Sequence, residues 1–246
     1  MKKLRFLLVN DDGVNAEGLK RAKKVLEKFA DVFVVAPSEE KSGSSHSISL
    51  RKEIKVKKLE ENIWAVDGTP VDCVLIAMEA LVNRKPDILI SGINYGFNLG
   101  EDTLYSGTLA AAREGFLYGV PSIAFSVGPY KEPCFEAGEY YLEKILKKII
   151  EKEFYKEKFL LNINLLDLKI NEVKGIKITK LGKRHYINPI EKIDESTYKI
   201  GGKLKLIPED DTDVKAVLDH YVSITPLMLN TTDFVLIEKL SKVLIE

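Results

Sequence analysis

Short, nearly unbroken apolar runs alternate with amphipathic helical stretches through the first two thirds of the chain, and this alternation restricts the fold more than any other feature. A strand buried on both faces reads as a continuous apolar run, and parallel strands need a crossover helix between them. The pattern therefore specifies an α/β protein with a mostly parallel sheet wrapped by helices. Residues 4–9 predict the first strand, and a helix follows over about 16–29. Further strands are expected at 32–36, 88–91, 122–126 and 160–163, with helices near 71–82, 108–118 and 135–152. In the last of these, Leu142, Ile145, Leu146, Ile149 and Ile150 share one face, so the Lys/Glu run beside them reads as a solvated helix face.

After about residue 167 the texture changes. Ile176-Lys177-Ile178-Thr179-Lys180 and Lys203-Leu204-Lys205-Leu206 alternate apolar and lysine positions, which predicts antiparallel hairpins with one solvated face. An acidic stretch at 209–213 caps a short helix, 221–225 reads as a strand, and 233–245 as a closing helix. The expected architecture is a Rossmann-like three-layer fold over 1–167. Residues 168–246 complete the same domain as a β-hairpin and carboxyl-terminal oligomerisation segment.

A chain of 246 residues can hold one large domain, or one domain with an appendage. Lysine plus arginine and aspartate plus glutamate are both 37, so the chain lacks the basic field that a nucleic-acid or membrane-surface binder needs. No apolar run approaches the roughly 20 residues of a membrane span, and the run after Lys3 is shorter than the core of a signal peptide. A cytoplasmic protein is expected. Cys73 and Cys134 form neither a disulfide framework nor a metal motif. Cys73 falls in an apolar helical pattern and Cys134 in a loop. With 31 lysines to 6 arginines and no glutamine, the composition leans toward a heat-adapted source.

In open parallel sheets, ligands bind beyond the carboxyl ends of the strands, where loops converge and helix amino termini point. The first strand ends in Asn10-Asp11-Asp12-Gly13, the second leads to Ser42-Gly43-Ser44-Ser45-His46, and the third gives Ser91-Gly92-Ile93-Asn94-Tyr95-Gly96. Adjacent carboxylates repel unless a cation or donors compensate. Taken alone, Asp11 and Asp12 read equally as a turn with a helix cap or as a metal site. Ser42 and Asn94 at equivalent strand ends tip the reading to metal, and an all-oxygen set suits magnesium or manganese rather than zinc. Residues 92–107 carry glycines at 92, 96, 100 and 107 and deliver Ser106-Gly107-Thr108 to a helix start, a plausible cradle for phosphate. It is neither a Walker A loop nor a dinucleotide fingerprint. Ser106 by itself reads more simply as an N-cap.

Together these residues resemble the stationary-phase survival protein SurE family of metal-dependent 5'-nucleotidases. The resemblance runs nearly end to end, through Val9-Asn10-Asp11-Asp12-Gly13, Val34-Val35-Ala36-Pro37 with Ser42-Gly43, Gly68-Thr69-Pro70-Val71-Asp72-Cys73, Ser91-Gly92-Ile93-Asn94-Tyr95-Gly96-Phe97-Asn98, Tyr105-Ser106-Gly107-Thr108 and Tyr221-Val222-Ser223-Ile224-Thr225-Pro226-Leu227. It implies a Rossmann-like nucleotidase with one divalent cation per subunit, magnesium or manganese, on Asp11, Asp12, Ser42 and Asn94. It also implies hydrolysis of nucleoside 5'-monophosphates, in some members 3'-monophosphates and short polyphosphate, and homodimers or homotetramers that exchange carboxyl-terminal segments. His220 stands where the family has a glycine.

Phosphomonoester hydrolysis needs charge neutralisation, an in-line water and a base. An aspartyl nucleophile of the haloacid dehalogenase type would need a second aspartate where Gly13 stands. The preferred reading is direct attack by a water the metal activates, with Asp11 or Asp12 taking its proton and Asn98, Ser106, Gly107 and Thr108 holding phosphate. A nucleotide-binding regulator without turnover is the rival of another class, although the intact acidic pair argues against it. His46 is a possible acid or base but reads better as solvent-facing, having no visible partner. His185, beside Lys183 and Arg184, reads as part of an exposed basic hairpin, and Trp64 as core packing.

Overall fold

The computed structural model describes residues 3–128 and 133–245. The first half contains β1 (Leu4–Val9), α1 (Glu17–Leu26), β2 (Ala30–Pro37), β3 (Val56–Glu60), β4 (Ile63–Val66), α2 (Pro70–Ile76), β5 (Ile88–Tyr95), α3 (Gly107–Leu117) and β6 (Ser122–Gly128). Then come α4 (Glu136–Glu151), β7 (Leu160–Leu166), β8 (Ile176–Ile178), β9 (Lys183–Ile187), β10 (Ile190–Lys192), β11 (Tyr198–Ile200), β12 (Lys203–Ile207), α5 (Asp213–Leu218), β13 (Val222–Pro226) and α6 (Phe234–Leu244). A nine-stranded sheet in the order β3-β4-β2-β1-β5-β6-β7-β13-β8 forms the middle layer. It is parallel from β4 through β7, while β3 and β13 each run antiparallel to their inner neighbours.

Side chains alternate across a strand, so each buried strand feeds two cores. Phe6 and Leu8 of β1 face one core with Leu19, Ala22 and Leu26 of α1 and Leu142, Ile145 and Leu146 of α4. Leu7 and Val9 face the other, with Cys73 and Val74 of α2 and Leu109, Ala111 and Ala112 of α3. This is the expected three-layer α/β fold. The chain runs outward from β1 through β2 to β4, then returns to the far side of β1 as β5. That reversal opens a crevice beyond the carboxyl ends of β1 and β5.

Several elements differ from the sequence reading. The edge hairpin β3–β4 was not expected, because the lysine-rich β3 is exposed along its whole length. Trp64 is core packing as anticipated, stacked on Phe33 with ring centroids 6.4 Å apart. The helix expected over 71–82 is α-helical only to Ile76 and continues as a π-helical turn, Ala77–Leu81. The segment at 176–180 is not part of an antiparallel hairpin: β8 adds to the sheet edge parallel to β13, with Ile176 opposite Val222. Period-two alternation marks a half-solvated strand but says nothing about a partner over 40 residues away. The hairpin that does form joins β9 to β12, with Arg184 opposite Leu206. A smaller one joins β10 to β11. Among the described residues, no helix is long and apolar enough to cross a membrane.

One buried carboxylate ties the hairpin to the core. Asp213, at the start of α5, accepts from the backbone N–H of Gly182 at 2.7 Å, Val214 at 2.8 Å and Gly100 at 2.9 Å. Removing it strands three buried donors, so Asp213→Ala is expected to lower stability by about 3 kcal/mol. Urea unfolding measures this, and a change within error would show that water replaces the carboxylate.

Candidate active site at the carboxyl ends of the central strands

Asp11 leaves β1 where the apolar run stops, and its side chain enters the amino terminus of α3. The residue is 4% exposed. Thr108 donates its backbone N–H to Asp11 Oδ2 at 2.9 Å and its hydroxyl to Oδ1 at 2.6 Å. Ser106 caps the same helix, its Oγ accepting from Leu109 N at 3.0 Å. Gly107 lies between them because a Cβ there would come within 2.9 Å of Asp11 Cβ and Oδ2 and 2.8 Å of Ser44 Oγ. That buried Ser44 hydroxyl has no hydrogen-bond partner among the described residues.

Asp12 is half-buried beside Asp11. Burial first, then the charge of Asp11, push its carboxyl up to about 7, against a lowering contribution from the Tyr95 backbone. Asp11 is also shifted upward by burial, opposed by its two bonds from Thr108. Glu40, on the loop after β2, adds negative charge to both, a contribution that sequence reasoning missed. The Asn10 side chain donates to Gly13 O at 2.9 Å and holds the turn. Lys41 N donates to Asp11 O at 2.7 Å and draws in the loop bearing Ser42, whose hydroxyl donates to Glu40 at 2.8 Å.

Strand β5 runs on past Ser91 to Tyr95, so Asn94 stands on a strand end rather than in a loop. Its Nδ2 donates to Gly96 O at 2.9 Å, which leaves Oδ1 as the free side-chain atom. Asn98 is buried and held by a group that sequence reasoning missed. Its N–H donates to Asn164 Oδ1 at 2.8 Å, its carbonyl accepts from Asn162 Nδ2 at 2.7 Å, and its own Nδ2 donates to Ser126 Oγ at 2.8 Å. Asn162 and Asn164 on β7 were detectable only as polar residues interrupting an apolar strand. Asp11, Ser42, Asn94, Asn98 and Ser106 line one cleft of about 420 Å³. Asp12, Gly107 and Thr108 are not among the residues that line it, and Thr108 is joined to it through its two bonds to Asp11.

His46 is not without a partner. Its Nε2 lies 2.8 Å from Glu114 Oε2 on α3, which pins the Ser42 loop to the helix. His185 faces outward from β9, as expected. His220 adopts φ +67, the left-handed conformation that glycine takes most readily. Cys73 is buried and Cys134 exposed. Among the described residues, no three His, Cys, Asp or Glu side chains form a cluster able to hold a metal.

The fold and cleft define a Rossmann-like α/β protein with an oxygen-lined site at a strand-order reversal. Its sequence matches the family model described as "Survival protein SurE" over residues 6–188. Similar proteins include "5'-nucleotidase SurE" of Caldanaerobacter subterraneus subsp. tengcongensis, 43% identical and covering 98% of each chain. The protein of the same name from Methylobacillus flagellatus is 41% identical and covers 94% of this chain and 95% of its own. The crystal structure of the SurE protein from Aquifex aeolicus superposes with a TM-score of 0.86 at 38% identity, covering 97% of this chain and 99% of that one. The chain belongs to the SurE family.

The raised carboxyl of Asp12 has a stability consequence. A folded-state pKa near 7, above the ordinary 3.8, stabilises the fold at low pH, and the contribution is lost as pH rises through 7. In chelator, wild type is expected to gain stability relative to Asp12→Asn as pH falls from about 8 to about 5. Urea midpoints at both pH values measure this; a constant difference would refute it.

Proposed function

We propose that this chain is a metal-dependent phosphomonoesterase that converts nucleoside 5'-monophosphates to nucleoside and phosphate. Nucleoside 3'-monophosphates and short polyphosphate are further substrates on this reading. The observation that carries it is the convergence of Asp11, Ser42, Asn94, Asn98 and Ser106 on one cleft at the strand-order reversal. The relatives named 5'-nucleotidase support the same reading.

One divalent cation, magnesium or manganese, fits the residues present. Asp11 and Asp12 are neighbouring carboxylates whose proton affinities rise through burial, a repulsion that a cation relieves. Asn94 turns its carbonyl oxygen free, and Ser42 completes a set made only of oxygen donors. On this reading Asp11, Asp12, Ser42 and Asn94 hold the ion. When bound, it supplies charge neutralisation at the phosphoryl oxygens and lowers the pKa of water.

The chain's own residues do the rest. Thr108 fixes the carboxylate plane of Asp11 through two bonds. On this reading Asp11 or Asp12 accepts the proton of the attacking water. Asn98 keeps a second amide hydrogen beyond its bond to Ser126. On this reading it holds the phosphate with Ser106 and Gly107 at the amino terminus of α3, where helix amides and dipole favour an anion, and Thr108, whose N–H and hydroxyl are both given to Asp11, acts through that carboxylate. A nucleotide-binding regulator would need none of this proton-accepting apparatus.

Chelation is expected to abolish phosphate release from adenosine 5'-monophosphate, with magnesium or manganese restoring it better than zinc. Asp11→Asn is expected to lower kcat on the order of 100-fold or more. Full activity in chelator would sink the metal assignment, and wild-type turnover in the variant would remove Asp11 from the mechanism.

On the same reading the protein is a homodimer or homotetramer joined through its carboxyl-terminal segment. Phe234, Ile237 and Leu240 form an apolar stripe on α6 that is exposed in the single chain, and Ile200 of β11 is 83% exposed. A second copy covers both. A chain ending near Leu227 is expected to sediment as a smaller species than the full chain; an unchanged mass would assign α6 elsewhere.

A further inference from the structure

Ser42 stands on a stretch of chain that packing does not hold. The residue is exposed, and a Cβ at the neighbouring Gly43 would meet nothing within 4 Å. Contacts on either side must therefore set its place. Before it, Lys41 N donates to Asp11 O at 2.7 Å. After it, Ser45 N donates to Tyr105 O at 3.0 Å, and the next side chain reaches α3, with His46 Nε2 lying 2.8 Å from Glu114 Oε2. Farther on the loop passes to α2, where Ser47 O accepts from Thr69 Oγ1 at 2.8 Å and Ser49 N donates to Asp72 Oδ1 at 2.9 Å. His46 is thus the side chain that ties the loop to the same helix that receives Asp11.

Glu114 is well shielded, its side chain 12% exposed against 33% for His46. Among the described residues, His46 is the only side chain that hydrogen-bonds it. A carboxylate with so little water around it keeps its donor, because losing that donor leaves the charge bare. Thr108 and Glu114 lie about 9 Å apart along the axis of α3. One rigid helix therefore grips Asp11 in its first turn and the Ser42 loop farther on. His46 is not among the residues that line the cleft, so it is placed to act through the loop and not on a reacting atom. We propose that His46 and Glu114 are positioning residues that set the affinity of the cleft for its divalent cation, by holding the loop that carries Ser42 against α3. This rests on the reading of Asp11, Asp12, Ser42 and Asn94 as the residues that hold the ion. A loop held in place beforehand loses little conformational freedom when the ion binds, and cutting the contact moves that loss into the binding step.

Calorimetric titration of the metal-free full chain with manganese tests this without turnover. His46→Ala and Glu114→Ala are each expected to weaken manganese binding about tenfold. The double alanine variant, which leaves no buried charge behind, loses the same factor and not the product of the two, because the pair acts as one contact. His46→Gln, whose side-chain nitrogen can donate to the same carboxylate, stays within about twofold of wild type. Leu50→Ala, farther along the chain and 69% exposed, keeps wild-type affinity. Urea midpoints measured beside the titrations separate lost affinity from lost fold. Equal affinity in wild type and in the double variant, or a glutamine variant as weak as the alanine one, overturns the proposal. Affinity lost in Ser42→Ala but kept in both alanine variants overturns it while leaving the ion reading in place. A wild-type chain that binds no manganese sinks the ion reading first, and the proposal with it.

Discussion

The buried carboxylate of Asp11 at the amino terminus of α3 is the joint on which the site depends. An ionised group this far from water is stable only if donors replace its hydration, and Thr108 supplies two from one residue. The free amides and the dipole at the helix start add to the compensation. Packing follows from the same contact. A strand end can approach a helix start this closely only over glycine, which is why Gly107 stands between Asp11 and Ser44. Asp12 is then held partly buried next to a charge that cannot move away, and its proton affinity rises from burial first and from that charge second. One short contact thus fixes the geometry of the first carboxylate and contributes to the titration of the second.

The side of the cleft that carries Asn98 rests on a different device. Asn98 lies where β5 has ended, so its backbone has no ladder to join, and the side chains of Asn162 and Asn164 supply its partners. Buried amide side chains used in this way make a rigid support: Asn164 engages Asn98 through both its oxygen and its nitrogen, and Asn162 through its nitrogen. Ser126 on β6 completes the set. The loop carrying Asn98 is therefore anchored to β6 and β7 and not to its own strand.

This explains what was legible in the sequence and what was not. An unbroken apolar run ends where chemistry begins, so Leu4–Val9 marked both β1 and the start of Asn10-Asp11-Asp12-Gly13. The same rule misled at β5 and β7. Asn94 and Asn164 are polar residues inside strands that continue into the site, and periodicity closed those strands at Ser91 and Ile163. The contacts of Asn98 with Asn164 and of His46 with Glu114 join residues 66 and 68 positions apart, and nothing local encodes them. The edge strand β3 escaped for a related reason, exposure removing the apolar signature, while β8 was legible as a strand but its partner β13 was not.

The carboxyl-terminal third is more than an attachment to the catalytic core. Strand β13 pairs with β7 so that Ser223 lies opposite Asn164, which places its backbone directly behind the asparagine support of Asn98. Thr225 of β13 and Thr179 after β8 share a buried hydroxyl contact at 2.7 Å that ties the edge strand to it. Farther up the chain, Asp213 clamps Gly182 at the root of the hairpin to Gly100 in the cleft-side loop. The turn into β13 passes through His220 in the left-handed region, a conformation that costs a non-glycine residue roughly 1 kcal/mol. His220 N donates to Val217 O at 3.0 Å, and its carbonyl accepts from Lys174 N at 2.9 Å, so the turn is held by its own backbone bonds. The strain falls on the approach to β13 and leaves the register opposite Asn164 intact.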